Sequence, residues 1–374
     1  MKILIAGDFV PRNRLAPIVE RGDYEAIFGE VTEIVRSADY ALVNFESPVT
    51  EQGDKPITKF GPCLRCSPKA VDAIRYAGFT CATLANNHIR DYGDSGVRRT
   101  MDRLRQQGID FVGAGENLDA ATRVLYVERK GETLAVINCC EHEFTLATDE
   151  RYGANPLDPV KQFYAIQEAR TRADHVVVIV HGGPEHHQLP TPRMQDTYRF
   201  FIDAGADMVV NHHQHCYSGY EIYKGKPVVY GTGNFCMDKQ PLSKGQSWNE
   251  GYMVLWDTDD KRQIELIPYS QCGDQPTVHL LRRDAFDERL QQLNAVIGDR
   301  QRLEQETKKY YDTCHEIIRC ELEPIQLHYV AALQHRHLLP SLVTRRWLVK
   351  LQKLVMCESH RDKLEHYFNG KMPF

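Results

Sequence analysis

No apolar run reaches the roughly eighteen residues that a membrane-spanning helix needs, so no spanning segment is expected in this 374-residue chain. The first residues, MKILIAGDFV, place only a short apolar run ahead of Gly7 and Asp8, too short for a secretory signal. Net charge is small, at −5, which removes any long-range pull toward nucleic acid or an acidic membrane. Internal repeats and low-complexity segments are lacking. A second cysteine pair is lacking too: Cys63 and Cys66 form a lone C-x-x-C, with nothing to complete a four-ligand zinc site. The eleven cysteines are scattered and odd in number, and Cys81, Cys139 and Cys140 lie inside apolar runs. That pattern fits buried free thiols in a reducing compartment. These absences favour a cytoplasmic enzyme of one large or two ordinary domains, with 42% hydrophobic residues to build the core.

What the chain does have is five apolar stretches that each end on a metal-binding type of residue. KILIAG ends at Asp8, YALVNF at Glu46, CATLANN at Asn87 and His88, VVVIV at His181, and MVVN at His212, His213 and His215. Short runs rich in Val, Ile and Leu, bounded by polar residues or glycine, read as buried strands. In open α/β sheets, ligands collect outside the carboxyl ends of the strands. A single such residue is more often structural than a ligand. Here the bland reading must be invoked five times, always at the same end of a strand, so the sequence predicts a polynuclear metal site.

Individual residues suggest roles. Asp8 behind Gly7 suits a first metal ligand, and Glu46 is a carboxylate able to bridge two cations. The amide oxygen of Asn87 suits borderline divalent metals beside carboxylate and imidazole. His88, next to it, is free to act on substrate, and Asp91 three residues on is placed to fix its tautomer. His181 precedes the flexible pair Gly182-Gly183, with His186 and His187 expected in a loop over the site. His213 and His215, at i and i+2 of an extended chain, would point to one side, leaving His212 pointing away behind them. Asn234 in GTGNF, Arg65 in GPCLRCSP and His212 are candidates for contacting substrate, Arg65 by gripping an anionic group.

Up to about Ser270 apolar runs interleave with amphipathic stretches, which argues α/β. Helices are predicted over Tyr24–Ser37, Pro68–Ala77, Ser95–Gln107, Pro159–Ala173 and Arg193–Ala204. Pro68 and Pro159 would sit in first turns, with Ser67 and Asp158 as caps. Gly78, Gly108 and Gly205 would close helices in the left-handed conformation. Two hairpins follow, turning at Lys224-Gly225 and at Asp259-Asp260. Beyond about Val278 the chain reads as charged helices over Asp284–Ile297, Arg300–Glu323 and Pro324–Gln334. The domain division is therefore placed at 1–280 and 281–374. The last fifty residues carry eight Lys/Arg against three acids, and TRRWLVKLQKLVM has helical apolar spacing. It reads as a helix packed on the catalytic domain or a partner subunit, or as a docking element for a membrane surface.

In order, GD (7–8), NFE (44–46), ANNHIRDYG (85–93), HGG (181–183), NHHQH (211–215) and GTGNF (231–235) resemble the bacterial capsule-synthesis (poly-γ-glutamate, CapA-type) family of the calcineurin-like metallophosphoesterase superfamily. The resemblance runs from about Met1 to Ser270. It implies a four-layer α/β/β/α sandwich with a site for one or two divalent ions, Mn²⁺, Zn²⁺ or iron. Asp8, Glu46, Asn87, His181, His213 and His215 would be its ligands, and His88 the general acid toward the leaving group of a phosphoester substrate. Val10 stands where the superfamily usually has the histidine of Asp-x-His, which leaves one ion short of a ligand. Glu46 replaces an aspartate, and Gln214 replaces a proline. The family's link to γ-linked polymers leaves two alternatives: a metal-dependent amide hydrolase, or a non-catalytic accessory of polymer assembly.

Overall fold

The first strand, β1 (Lys2–Val10), is buried at every position after Lys2. Its side chains alternate between two cores. Ile3 and Ile5 join Leu42, Val136, Val178 and Val209 in one cluster. Leu4 and Ala6 join Val43, Val35, Ile74 and Leu104 in another. A strand covered on both faces has no solvent side, which is why its sequence runs apolar instead of alternating. The same holds for β2 (Tyr40–Phe45) and for His175–His181, both wholly buried.

The computed structural model describes residues 1–59, 61–239, 247–259, 264–321, 328–341, 343–344 and 348. β1 and β2 pair in parallel and are followed by β3 (Cys81–Thr83) and Asp110–Val112. On the other side of β1 lie Glu250–Asp257, Ile264–Gln271 and Val278–Leu280, all antiparallel, and Asn234–Met237 pairs with β1 in parallel to complete an eight-stranded sheet. A six-stranded sheet is built around His175–His181 and Met208–His212. The two sheets share the first core. Helices Val31–Ser37, Lys69–Ala77 and Gly93–Gln106 cover the outer face of the larger sheet, and Pro159–Arg172 and Pro192–Ala204 cover the smaller. This is the expected four-layer α/β/β/α sandwich.

Several boundaries differ from expectation. Tyr24–Ser37 is two helices, Glu25–Phe28 and Val31–Ser37, separated at Gly29 (φ 41°). Pro68 stands at the N-cap of Lys69–Ala77 without a side-chain cap, whereas Asp158 caps Pro159–Arg172 through the amides of Val160 and Lys161. The Lys224-Gly225 turn has both residues at positive φ, as a two-residue hairpin requires. The strand after that hairpin leaves the smaller sheet and joins β1. The helix Arg283–Ile297 belongs with the sandwich: Phe286, Leu290 and Leu293 enter its core, and Asn294 Oδ1 accepts from the Tyr220 amide at 2.8 Å. The first compact unit consequently runs to Leu303, beyond the expected boundary at 280, and the second comprises residues 304–374. The Asp259-Asp260 turn, the start of Pro324–Gln334 and the basic helical stretch from Arg345 lie wholly or partly outside the described residues.

Cys63 and Cys66 do not form a metal half-site. The Cys63 thiol donates to Ile57 O, and the Cys66 thiol to Ser47 O and Pro48 O. Burial pushes Cys66 up to about 12. Because the thiolate is the reactive form, iodoacetamide applied to the native protein at neutral pH should label half-buried Cys63 and spare buried Cys66, Cys81 and Cys139. Mass spectrometry of the labelled peptides checks this.

Candidate metal centre

Glycine makes the first corner. A Cβ on Gly7 would sit 1.8 Å from Gly233 O, so only glycine lets the Asn234–Met237 strand lie against β1. That contact sets Asp8 opposite Asn234 on one side and Asn44 of β2 on the other. Glu46 follows directly from β2, and its amide donates to Phe9 O at 3.2 Å. From the smaller sheet, His181 and His212 lie in register at adjacent strand ends. The chain then turns sharply. His213 and His215 have φ of 90° and 56°, left-handed values that cost a non-glycine residue energy. The two imidazoles thus reach the site through a tight turn, not along an extended strand.

The side chains form two groups of three that could hold an ion: Glu46, His181 and His213, and Asp8, Glu46 and His215. Glu46 belongs to both. His181 Nε2 lies 3.0 Å from His213 Nδ1, 3.0 Å from Asn87 Oδ1 and 3.5 Å from Glu46 Oε1. His215 Nδ1 lies 3.3 Å from Asp8 Oδ2 and 2.9 Å from Asn234 Oδ1. Both Glu46 oxygens are buried without a hydrogen-bond donor. Buried carboxylates left so are costly, and lone pairs that converge from imidazole, amide and carboxylate are matched by a cation. The donor set of nitrogen and oxygen fits a borderline divalent metal.

Electrostatics without the ion are correspondingly tense. Burial and the neighbouring Asp8 charge push Glu46 up to about 8. Burial would raise Asp8 as well, yet its hydrogen bond to His215 and the positive charge of surrounding imidazoles hold it well below the usual carboxylate range. Burial pushes His181 down to about 3. His215, which burial alone would lower, rises to about 9 beside Glu46 and Asp8.

A second constellation adjoins the first. His88 Nδ1 lies 2.6 Å from Asp91 Oδ2, an oxygen that also accepts the Leu64 amide at 2.6 Å. Lys59 forms an ion pair with the other Asp91 oxygen and lies 3.1 Å from His88 Nδ1. With Nδ1 held, His88 offers Nε2, and His88, Asn87 and His215 line one cavity of about 540 Å³.

A sequence profile of the bacterial capsule synthesis protein PGA_cap matches residues 2–239. The chain belongs to this family. It is 32% identical over 247 residues to the capsule biosynthesis protein CapA of Bacillus anthracis, covering 64% of this chain and 60% of that protein. It is 34% identical over 241 residues to the PGA biosynthesis protein CapA of Bacillus subtilis, covering 62% of each. The match thus spans about three fifths of the curated relatives' length. Among solved structures, a putative 5'-nucleotidase from Staphylococcus aureus superposes with a TM-score of 0.43 at 16% identity, over 79% of this chain and 58% of that one.

In this PGA_cap member several residues singled out from sequence fall elsewhere. Arg65 is exposed and does not line the cavity. The cations that do are Arg12, Lys59 and Lys239. Asn234 is fully buried and grips His215, accepting from its ring and donating to its carbonyl at 3.1 Å, so it positions that imidazole. His212 is buried, feels the Asp8 charge and does not line the cavity. Val10 is buried with Leu64, Met237 and Trp248 in an apolar cluster. Glu143, Glu185 and Trp248 also line the cavity and carried no signal, because none ends a patterned element.

Proposed function

We propose that the chain is a metal-dependent phosphoester hydrolase acting in the assembly of a capsule-type surface polymer. The juxtaposition of the converging ligand atoms with the Asp91-held His88, in one cavity, carries this reading. Divalent ions, one or two of Mn²⁺, Zn²⁺ or iron, would supply charge neutralisation for the phosphoryl oxygens and a lowered pKa for water. Glu46, Asn87, His181 and His213 would hold one ion, and Asp8, Glu46 and His215 the other. His88 would give its Nε2 proton to the departing oxygen, with Asp91 stabilising the imidazolium. Lys59 shares Asp91 and tempers that stabilisation. The polymer link is supported by the names of the two CapA relatives. Among the described residues no helix is long and apolar enough to cross a membrane.

The test is a side-by-side assay of the metal-loaded protein on phosphomonoesters, phosphodiesters and γ-glutamyl amides. Phosphoester turnover that a chelator abolishes and added metal restores is the expected result. Turnover of the amides alone would move the chemistry to a carbonyl. Stoichiometric metal with no turnover of any substrate would favour an accessory role, the reading that the apolar surroundings of Val10 support: the second group has only three ligands.

A further inference from the structure

The mouth of the cavity holds a feature that phosphoester cleavage does not use. β1 and the Asn234–Met237 strand run parallel, with Val10 opposite Met237. Arg12 and Lys239 each follow that pair by two residues, so the two cations leave the ends of neighbouring strands. Both line the cavity.

Their neighbour Arg14 shows what a structural cation looks like here. It donates to Asp238 through its backbone amide, Nε and Nη2, and to the carbonyls of Cys272, Gly273 and Asp274. That fork ties the loop after β1 to the loop after the paired strand. Arg12 and Lys239 take no part in it. Neither side chain has a hydrogen bond or ion pair to another described residue, and Lys239 rests over the Trp248 ring at 4.6 Å. The carboxylates of the cavity are engaged elsewhere: Glu185 interacts with His215, His213 and His186, and Glu143 with Lys59. Two half-buried cations with no ion pair or hydrogen bond among the described residues, beside a centre suited to a phosphoryl group, are placed to receive an anion.

We infer that Arg12 and Lys239 form a subsite for a second anionic group of the substrate, a carboxylate or a phosphate, next to the phosphoryl position. The inference rests on the phosphoester reading for what occupies the metal side. The substrate is then at least doubly charged: one anionic head meets the metal centre and the other meets the Arg12–Lys239 pair against the Trp248 face.

Non-hydrolysable probes separate this from catalysis. Methylphosphonate offers one anionic head, phosphonoacetate and its longer homologues add a carboxylate, and methylenediphosphonate adds a second phosphonate. Calorimetric titration of the metal-loaded protein should show the best two-headed probe binding about tenfold tighter than methylphosphonate, the order expected for a charge-assisted contact. The Arg12→Gln/Lys239→Gln double variant should lose that advantage and keep its methylphosphonate affinity and its metal content, whereas Arg12→Lys should retain most of it. Whether the carboxylate or the phosphonate homologue gains more identifies the second group. Equal binding of one- and two-headed probes to wild type, or an advantage that survives in the double variant, overturns the subsite. Two-headed binding that depends on both cations, with no methylphosphonate binding, keeps the subsite and sinks the phosphoryl reading. No binding of any probe overturns both.

Discussion

Replacing His88 by Ala is expected to lower turnover of an alkyl phosphoester by about 10²- to 10⁴-fold, the range for a positioned general acid, with bound metal unchanged. The reason is geometric. His88 Nδ1 is committed to Asp91 at 2.6 Å, and its ring borders the cavity without joining either ligand group. A nitrophenyl ester, whose leaving group departs without a proton, should lose far less. That contrast distinguishes a missing acid from a distorted site. Elemental analysis beside the kinetics completes the test: metal lost in proportion to turnover would make His88 a ligand and end its assignment as the acid.

Glu46→Gln should have the largest effect on metal. Glu46 is the one residue common to both ligand groups, so its loss should weaken both ions, by more than the about 10- to 100-fold typical of outer-shell partners. His213→Ala should remove one. Unchanged metal in both variants would defeat the proposed centre. A second readout guards against misfolding. Burial and the neighbouring Asp8 charge push the Glu46 carboxyl up to about 8 from an ordinary 4.5. A raised carboxyl contributes stability that is complete below the unfolded value and lost as pH climbs through the folded one. Metal-free wild type should therefore lose stability through this group between about pH 4.5 and 8. The Gln variant, permanently neutral, should lack that part of the decline. Thermal unfolding of both proteins across this window checks the sign.

The strand ends were legible because burial on both faces forces β1, β2 and His175–His181 into unbroken apolar runs, and a polar residue closing such a run stands out. The same logic does not reach loops. Lys59 and Arg65 are six positions apart in a segment with no periodicity. Nothing in their spacing tells that Lys59 folds in beside Asp91 while Arg65 stays outside. Arg12 was equally hidden, since its meaning depends on Lys239 arriving from far along the chain. The left-handed backbone at His213 and His215 had no sequence marker either, because glycine or asparagine, the usual signals of positive φ, are absent there. Gly29 could have warned that Tyr24–Ser37 breaks. The apolar periodicity on either side concealed it.

β1 lies near the middle of its sheet, yet two of its partners, Asn234–Met237 and Glu250–Asp257, come more than 220 residues later. Loop closure over such a span is slow. During synthesis β1 can pair with β2 but keeps an open apolar edge until about the last quarter of the sandwich emerges, the kind of edge that invites pairing with other chains. Asp8 also waits, because the strand that fixes its neighbour Asn234 is the one that seals this edge. The neighbour that Asp8 faces across the sheet and the pairing that completes the sheet thus come from the same distant part of the chain. A chain ending near residue 239, where the family match stops, would carry all six candidate ligands without the Glu250–Asp257 strand that pairs with the opening half of β1.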